Sequence, residues 1–424
     1  MVSSREIGRQ TDGTQVFVAQ PFSENGRSPE SHVVIPSILK LLEAVALLSE
    51  KERQLIEGFF EINREGGAGA SPGLEIPEEM IPWVMENFGS EDRTAEETLA
   101  LMRDQPIVHI QDRLIKNDVV VNELRRKRPQ PLKRESAFQN DIHDDEKRGR
   151  CPFCPIEQQT PYDAETGRIS RGTVVSAVNI TKFAPDHLLM VAEHNPYETT
   201  REQFRDQVKL ALDWARQKSA ADPDKKFLRI GLNRGYRAAG SQVHDHGQGE
   251  LRRGSMHFPV AERIIEIANN YRVHKEDPTV HYLDDYFRAH QALGLGTQIG
   301  KAKVLSMLVP PKEHGVMVID DGYGHEPFDV SDDFIDALWE VQQFMMQKEN
   351  VKEYNIYILP RPNNPDSPEY WSEYKPIAIF VDRGHSTSQN SDIGYAELSG
   401  TAILSYDVFD YGPKLNRYLL DQAA

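Results

Sequence analysis

The 424-residue sequence is poor in cysteine, with only Cys151 and Cys154, spaced C-x-x-C. Two thiols cannot build the disulfide framework of a small secreted fold. No run of about 18 apolar residues occurs, so the hydropathy pattern holds no candidate transmembrane helix. The opening residues, MVSSREIGRQTDGT, lack the apolar segment of a secretory leader, and the expected location is cytoplasmic. Basic residues are outnumbered, 49 against 66 acidic, for a net charge of −17. Such a chain is a poor general nucleic-acid binder, although a local basic site can still hold small anions. Hydrophobic residues at 39% and charged residues at 27% are ordinary for a globular protein and exclude wholesale disorder. Familiar phosphate and hydrolase motifs are also missing. Gly296-Thr-Gln-Ile-Gly300-Lys301-Ala302 has the wrong gap for a Walker loop and no Ser or Thr after the lysine. Gly294-x-Gly296 is too little for a dinucleotide fingerprint, and neither H-E-x-x-H nor G-x-S-x-G is present.

What is present divides the chain into three. Residues 1–104 read as a mainly helical extension, with Ile38, Leu41, Val45, Leu48, Leu55 and Phe59 at helical spacing. Further helices are predicted from Pro77 to Asn87 and from near Thr94. Residues 105–258 carry predicted strands at 118–122, 173–180, 188–192, 227–232 and 241–251. Thr200-x-x-Gln203 is a capping box opening a helix. Residues 259–424 repeat that order, with strands at 304–309, 316–319 and 354–359 and a helix capped by Ser331. This predicts an α+β protein built on a duplicated unit, the second copy lacking the polar cluster of the first.

That cluster is Asn233-Arg-Gly-Tyr-Arg-Ala-Ala-Gly-Ser241-Gln-Val-His244-Asp-His246-Gly-Gln248. If 244–248 is extended, His244, His246 and Gln248 share one face and Val243, Asp245 and Gly247 the other. Three polar groups on one strand face need partners. A neutral histidine is a competent nucleophile toward phosphorus, provided its other ring nitrogen donates to a fixed acceptor. An amide such as Gln248, with Ser241 and Asn233, supplies donors for the charge that develops on phosphoryl oxygens. Cys151 and Cys154 offer half of a tetrahedral zinc site. His194 and His244 are the best candidates to complete it, with His187 the runner-up. A redox pair is the competing reading of C-x-x-C, but the following helix and βαβ pattern are absent. A surface His-x-His without a role is the bland reading of the cluster.

The run Gly240-Ser241-Gln-Val-His244-Asp-His246-Gly-Gln248 resembles the H-x-H-x-Q signature of the galactose-1-phosphate uridylyltransferase branch of the histidine-triad superfamily. Cys151-Pro-Phe-Cys154 resembles that family's zinc pair, and Glu193-His194 its third ligand. Asn233 matches a phosphate-contacting asparagine. Leu124-Arg125-Arg-Lys-Arg128-Pro129 resembles its R-x-x-R-P segment, and Ile393-Gly394-Tyr395-Ala-Glu-Leu398 its G-Y-E-x-L motif. The resemblance implies tandem histidine-triad-like repeats, with two mixed or antiparallel sheets and packed helices, usually paired as a homodimer with the site near the subunit boundary. It implies a structural zinc held by Cys151, Cys154, His194 and His244. It also implies a ping-pong nucleotidyltransferase in which His246 attacks the α-phosphorus of a nucleotide-sugar. Gln248, Ser241 and Asn233 would bind phosphoryl oxygens, and Arg125 and Arg128 would attract the anionic nucleotide-sugar and sugar-phosphate substrates. Asn179, at a strand end before a turn, is the candidate contact to sugar or base.

Three departures mark this chain. The glutamate of G-Y-E-x-L is Ala396, with Glu397 beside it. The late glutamine that reads the sugar phosphate falls near Ala402. The second metal site of some members, an H-x-H in the second half, is replaced by Tyr370-Trp371 and Tyr374. Gly-Ser-Gln before the first histidine resembles dinucleoside polyphosphate phosphorylases of the same superfamily. A phosphorylase using inorganic phosphate is therefore the alternative, and a catalytically silent nucleotide-binding module the third reading.

Overall fold

The computed structural model describes residues 5–6, 17–19, 32–65, 75–122, 124–125, 136–144, 149–277, 279–324, 326–363, 365, 367–388 and 392–423. Arg128 and the Gly66–Gly69 break lie outside these residues. Among those described, no helix is long and apolar enough to cross a membrane.

The chain is α+β. Strands of the two larger sheets, in chain order, are β1 (Phe60–Glu65), β2 (Ile107–Asp112), β3 (Asp118–Val121), β4 (Ser170–Arg171), β5 (Val174–Val178), β6 (Asp186–Val191) and β7 (Lys225–Arg234). They continue as β8 (His246–Arg253), β9 (Gly296–Ile299), β10 (Ala302–Ser306), β11 (Val316–Asp320), β12 (Tyr354–Leu359), β13 (Ile377–Asp382) and β14 (Thr401–Leu404). Ten of them form one antiparallel sheet in the order β9-β10-β11-β13-β12-β7-β8-β6-β5-β4. Each half contributes five strands in the same internal order, and the half-sheets are joined by pairing of β7 with β12. The sequence suggested a sheet for each half. Their edges instead satisfy each other's backbone groups and form one continuous surface, leaving no edge strand open at the centre.

The apolar stripes of two long helices cover one face of this surface. The first runs from Arg201 to Ala221 between β6 and β7. Its capping box forms as expected: Thr200 N–H donates to Gln203 Oε1 at 2.9 Å, and Gln203 N–H donates to the Thr200 hydroxyl at 3.2 Å. The second, Asp332–Gln347, occupies the equivalent place between β11 and β12, capped by Ser331. Arg205–Asp336 at 2.6 Å and Lys209–Asp332 at 2.6 Å tie the two helices together. Beneath them, Trp214, Phe204, Phe334 and Phe344 fill the core.

The N-terminal region contains helices Leu41–Leu47, Glu50–Phe59, Ile81–Phe88 and Ala95–Arg103. It is not wholly helical. The second helix runs directly into β1, which pairs with β2 in a four-stranded sheet of order β14-β3-β2-β1. This sheet takes strands from both sides of residue 104 and from the C-terminal region, because β14 lies parallel to β3. Phe59 anchors the arrangement: it is fully buried, stacked on Tyr271 at 5.7 Å and edge-on to Tyr286 at 5.5 Å. Phe59→Ala should lower unfolding free energy by about 3–5 kcal/mol in a urea titration. A loss below about 1 kcal/mol would mean that this segment is not part of the cooperative unit.

Candidate functional site

The strand carrying the histidine cluster begins at His246, later than its composition suggests. His244 and Asp245 precede it, yet Asp245 N–H donates to the Glu193 carbonyl at 2.9 Å and Ala192 N–H to the Asp245 carbonyl at 3.0 Å. The alternation predicted from the sequence therefore holds. Asp245 turns to the helix-covered face, where its Oδ2 accepts from Thr199 at 2.6 Å, Gln207 at 3.3 Å and Arg234 at 2.9 Å. Both members of the Asp245–Arg234 pair are buried. Burying an unpaired carboxylate is costly, so these donors fix the backbone on which both histidines sit.

His244 points away from Asp245, toward the Cys151–Cys154 loop. Its Nδ1 lies 3.5 Å from Cys151 Sγ and 3.7 Å from Cys154 Sγ, and His194 Nδ1 lies 3.4 Å from Cys154 Sγ. All four ligand atoms fall within 4.8 Å of one another. A tetrahedral zinc, with bonds of about 2.3 Å to sulfur and about 2.05 Å to nitrogen, sets sulfur–nitrogen edges at about 3.5 Å. The donor set and its spacing fit that ion. His244 Nε2–H donates to the Ala192 carbonyl at 3.1 Å, which fixes the ring with Nδ1 as the ligand atom. Burial lowers the His244 pKa to about 4, so the ring is neutral, as a ligand must be. Among the described residues this is the one cluster of His, Cys, Asp or Glu with metal-ligand spacing. Trp371 and Tyr374, in the region where some members of the resembled family carry an H-x-H, are core residues.

His246 is joined to this centre through the backbone. Its Nδ1–H donates to the His244 carbonyl at 2.9 Å, which leaves the Nε2 lone pair unprotonated. Burial holds its pKa below the usual histidine range. Phe153, between the two cysteines, packs its ring 5.1 Å from the His246 ring. Gln248 shares the face. His187 Nε2–H donates to its Oε1 at 2.9 Å, so the Gln248 amide N–H groups are turned outward as donors. His187 thus orients Gln248 and does not join the metal cluster, for which it was the runner-up. Asn233, on the neighbouring strand, is held the same way: Asn355 Nδ2 donates to its Oδ1 at 2.7 Å, leaving its own amide N–H groups as donors.

The remaining expected residues disperse. Ser241 is exposed in the loop between β7 and β8. Asn179 Oδ1 accepts from the Thr181 N–H and hydroxyl, closing the turn before β6. Arg125 is exposed and borders a different cavity, of about 820 Å³, together with Arg237, Lys312, His314, Tyr395 and Glu397. Asn233 and Gln248 border a smaller one, of about 430 Å³. Sequence reasoning missed Asp245, Arg234, Asn355 and the role of His187. The signal for Asp245 was its place between the two histidines, which alternation sends into the core.

Replacing both Cys151 and Cys154 by Ser should reduce bound zinc from one per chain to near zero by elemental analysis, with loss of thermal stability. Zinc retained by the double variant would contradict the site.

No protein-family model and no curated protein matches this chain. Solved structures do. An ADP-glucose phosphorylase from Arabidopsis thaliana with bound ADP-glucose is similar over 72% of this chain and 97% of that one, at 13% identity and a TM-score of 0.52. A galt-like protein from Arabidopsis thaliana is similar over 73% and 97%, at 12% identity and a TM-score of 0.50. A uridylyltransferase is similar over 73% and 98%, at 14% identity and a TM-score of 0.47. The first two likenesses are of fold: the chain has the fold shared by this ADP-glucose phosphorylase and this galt-like protein.

Proposed function

We propose that the protein transfers a nucleoside monophosphate from a nucleotide-sugar to a phosphorylated acceptor, as a hexose-1-phosphate uridylyltransferase does, through a covalent intermediate on His246. The observation that carries this reading is the 2.9 Å hydrogen bond from His246 Nδ1–H to the His244 carbonyl. It presents Nε2 as an unprotonated nucleophile beside the outward amide of Gln248. The Nε2 lone pair attacks the α-phosphorus, the bond to the bridging oxygen breaks, and the sugar 1-phosphate leaves with that electron pair. An acceptor phosphate oxygen then attacks the same phosphorus, the nitrogen–phosphorus bond breaks, and neutral His246 returns. Gln248 and Asn233 hold the phosphoryl oxygens as charge moves onto them. Cys151, Cys154, His194 and His244 would hold zinc, which would supply a rigid anchor for this strand.

A phosphorylase using inorganic phosphate is the second reading, and particular features favour it. Ala396 stands where the resemblance expects the glutamate that holds hexose hydroxyls. Glu397 accepts from the Gly394 N–H at 2.9 Å and pairs with Lys312 at 3.3 Å, so its carboxylate is committed elsewhere. An ADP-glucose phosphorylase shares the fold. The two readings share the first half-reaction and differ in which acceptor discharges the intermediate.

A homodimer belongs to this reading. Arg125 and Tyr395 line a cavity that none of the residues around Asn233 and Gln248 share. Tyr395 in its lining is 89% accessible, with Leu398 three residues on 81% accessible, and exposed apolar side chains suit a subunit contact. Sedimentation should show a dimer; a monomer at micromolar concentration would remove this part.

Incubation with labelled UDP-, ADP- and GDP-sugars should yield an acid-labile, alkali-stable protein adduct. His246→Ala should abolish the adduct and turnover while nucleotide binding stays measurable. Discharge by hexose 1-phosphate supports the transferase, and discharge by phosphate with release of a nucleoside diphosphate supports the phosphorylase. No adduct with any of the three would leave a silent binding module.

A further inference from the structure

The oxygen and nitrogen of an asparagine amide fill nearly the same space, so hydrogen-bond partners decide which way it faces. Asn233 gives its Oδ1 to Asn355 and keeps its N–H groups for the smaller cavity. Asn355 is itself an amide, and turned end for end it would meet Asn233 with an oxygen. What settles Asn355 therefore settles Asn233.

Two groups settle it. Asn355 Nδ2 donates to the Ala238 carbonyl at 2.9 Å, and its Oδ1 accepts from Arg383 Nη1 at 2.6 Å. A guanidinium has N–H donors and no acceptor, and it stays charged. A reversed Asn355 would set N–H against N–H there. The bond from Arg383 is charge-assisted and so the stronger of the two constraints.

Arg383 is itself held on all sides. Val381 lies opposite Asn355 in the pairing of β13 with β12, and alternation brings Arg383, two residues on, to the same face. Its N–H donates to the Glu353 carbonyl at 2.9 Å, and Arg237 Nε donates to its carbonyl at 2.8 Å. Arg383 Nε and Nη2 donate to the two carboxylate oxygens of Asp392 at 2.6 and 3.1 Å, a fork that fixes the guanidinium plane. The two side chains are only 16% and 15% exposed, so salt screens this pair less than one at the surface. Burial pushes the Asp392 carboxyl up, but its bonds to Arg383 and the charge of Lys312 outweigh that and hold it below its ordinary value. The fork uses Nε and Nη2, and Nη1 reaches Asn355. Neither Arg383 nor Asp392 lines the cavity bordered by Asn233 and Gln248. Their influence on it passes through Asn355.

We propose that Arg383 is a positioning residue for nucleotidyl transfer: through Asn355 it holds the Asn233 amide with its N–H groups toward the transferred phosphoryl group. The reaction served is that of the transfer reading, whereas the polarity imposed on Asn233 does not depend on it.

The test uses full-length, zinc-loaded protein labelled with nitrogen-15 asparagine. Side-chain amide signals of Asn233 and Asn355 are assigned by their loss in Asn233→Asp and Asn355→Asp. Arg383→Met, which removes every donor, should displace or broaden both pairs of signals. Arg383→Lys, which restores a charged donor without an acceptor, should return them toward their parent positions. With UDP-, ADP- and GDP-sugars, Arg383→Met should slow adduct formation at saturation by about tenfold and change the half-saturating concentration by about threefold or less, because donors on phosphoryl oxygens matter most as charge moves onto them. Arg383→Lys should recover most of that rate. Asp392→Asn reaches Asn233 only through Arg383 and should show the same changes in smaller measure; it takes the place of Arg383→Met if that variant loses zinc or melts early. Asn233 signals that stay in place, an unchanged adduct rate while they move, or a loss confined to half-saturation would overturn the proposal. No adduct in the parent protein defeats the transfer reading, and the amide signals then support or overturn the orientation by Arg383 on their own.

Discussion

One hydrogen bond links the cysteine–histidine cluster to His246: His246 Nδ1–H to the carbonyl of His244, 2.9 Å long. His244, whose Nδ1 faces the cysteine pair, offers its backbone oxygen to His246. The main chain at His244 therefore sets which nitrogen of His246 carries the proton. The device works because the intervening Asp245 is pulled into the core by Thr199, Gln207 and Arg234. With that side chain locked below the sheet, strand geometry holds the flanking histidines above it. The buried ion pair and the metal cluster are two ends of one clamp.

The two halves of the fold divide the work. The first carries the cluster of Cys151, Cys154, His194 and His244, together with His246 and Gln248. The second supplies Asn355, which turns the Asn233 amide, and Tyr357, which walls the cavity. Pairing of β7 with β12 brings these groups together. Burial raises the Tyr357 phenol above its ordinary value.

Much of this was legible in the residues because it is local. The C-x-x-C pair, the H-D-H-G-Q alternation and the caps at Thr200 and Ser331 depend on spacings of two to four residues. Features that depend on distant pairing were not. Gln248 is oriented by His187, 61 positions away, and Asn233 by Asn355, 122 positions away. β14 joins β3 from the far end of the chain, and Phe60–Glu65 follows a helix without a break in its apolar pattern. Arg125 has a basic context that draws attention in the sequence, but the fold places it at the larger cavity, away from the Gln248 amide.

The central claim is that Nε2 of His246 becomes bonded to the α-phosphorus of a nucleotide. Phosphorus NMR of protein labelled with nitrogen-15 histidine, after incubation with a nucleotide-sugar, reads that bond directly. The account predicts a phosphoramidate signal coupled to one ring nitrogen and assigned to Nε2 of His246. A signal coupled to Nδ1, to another histidine, or to no nitrogen at all would contradict it.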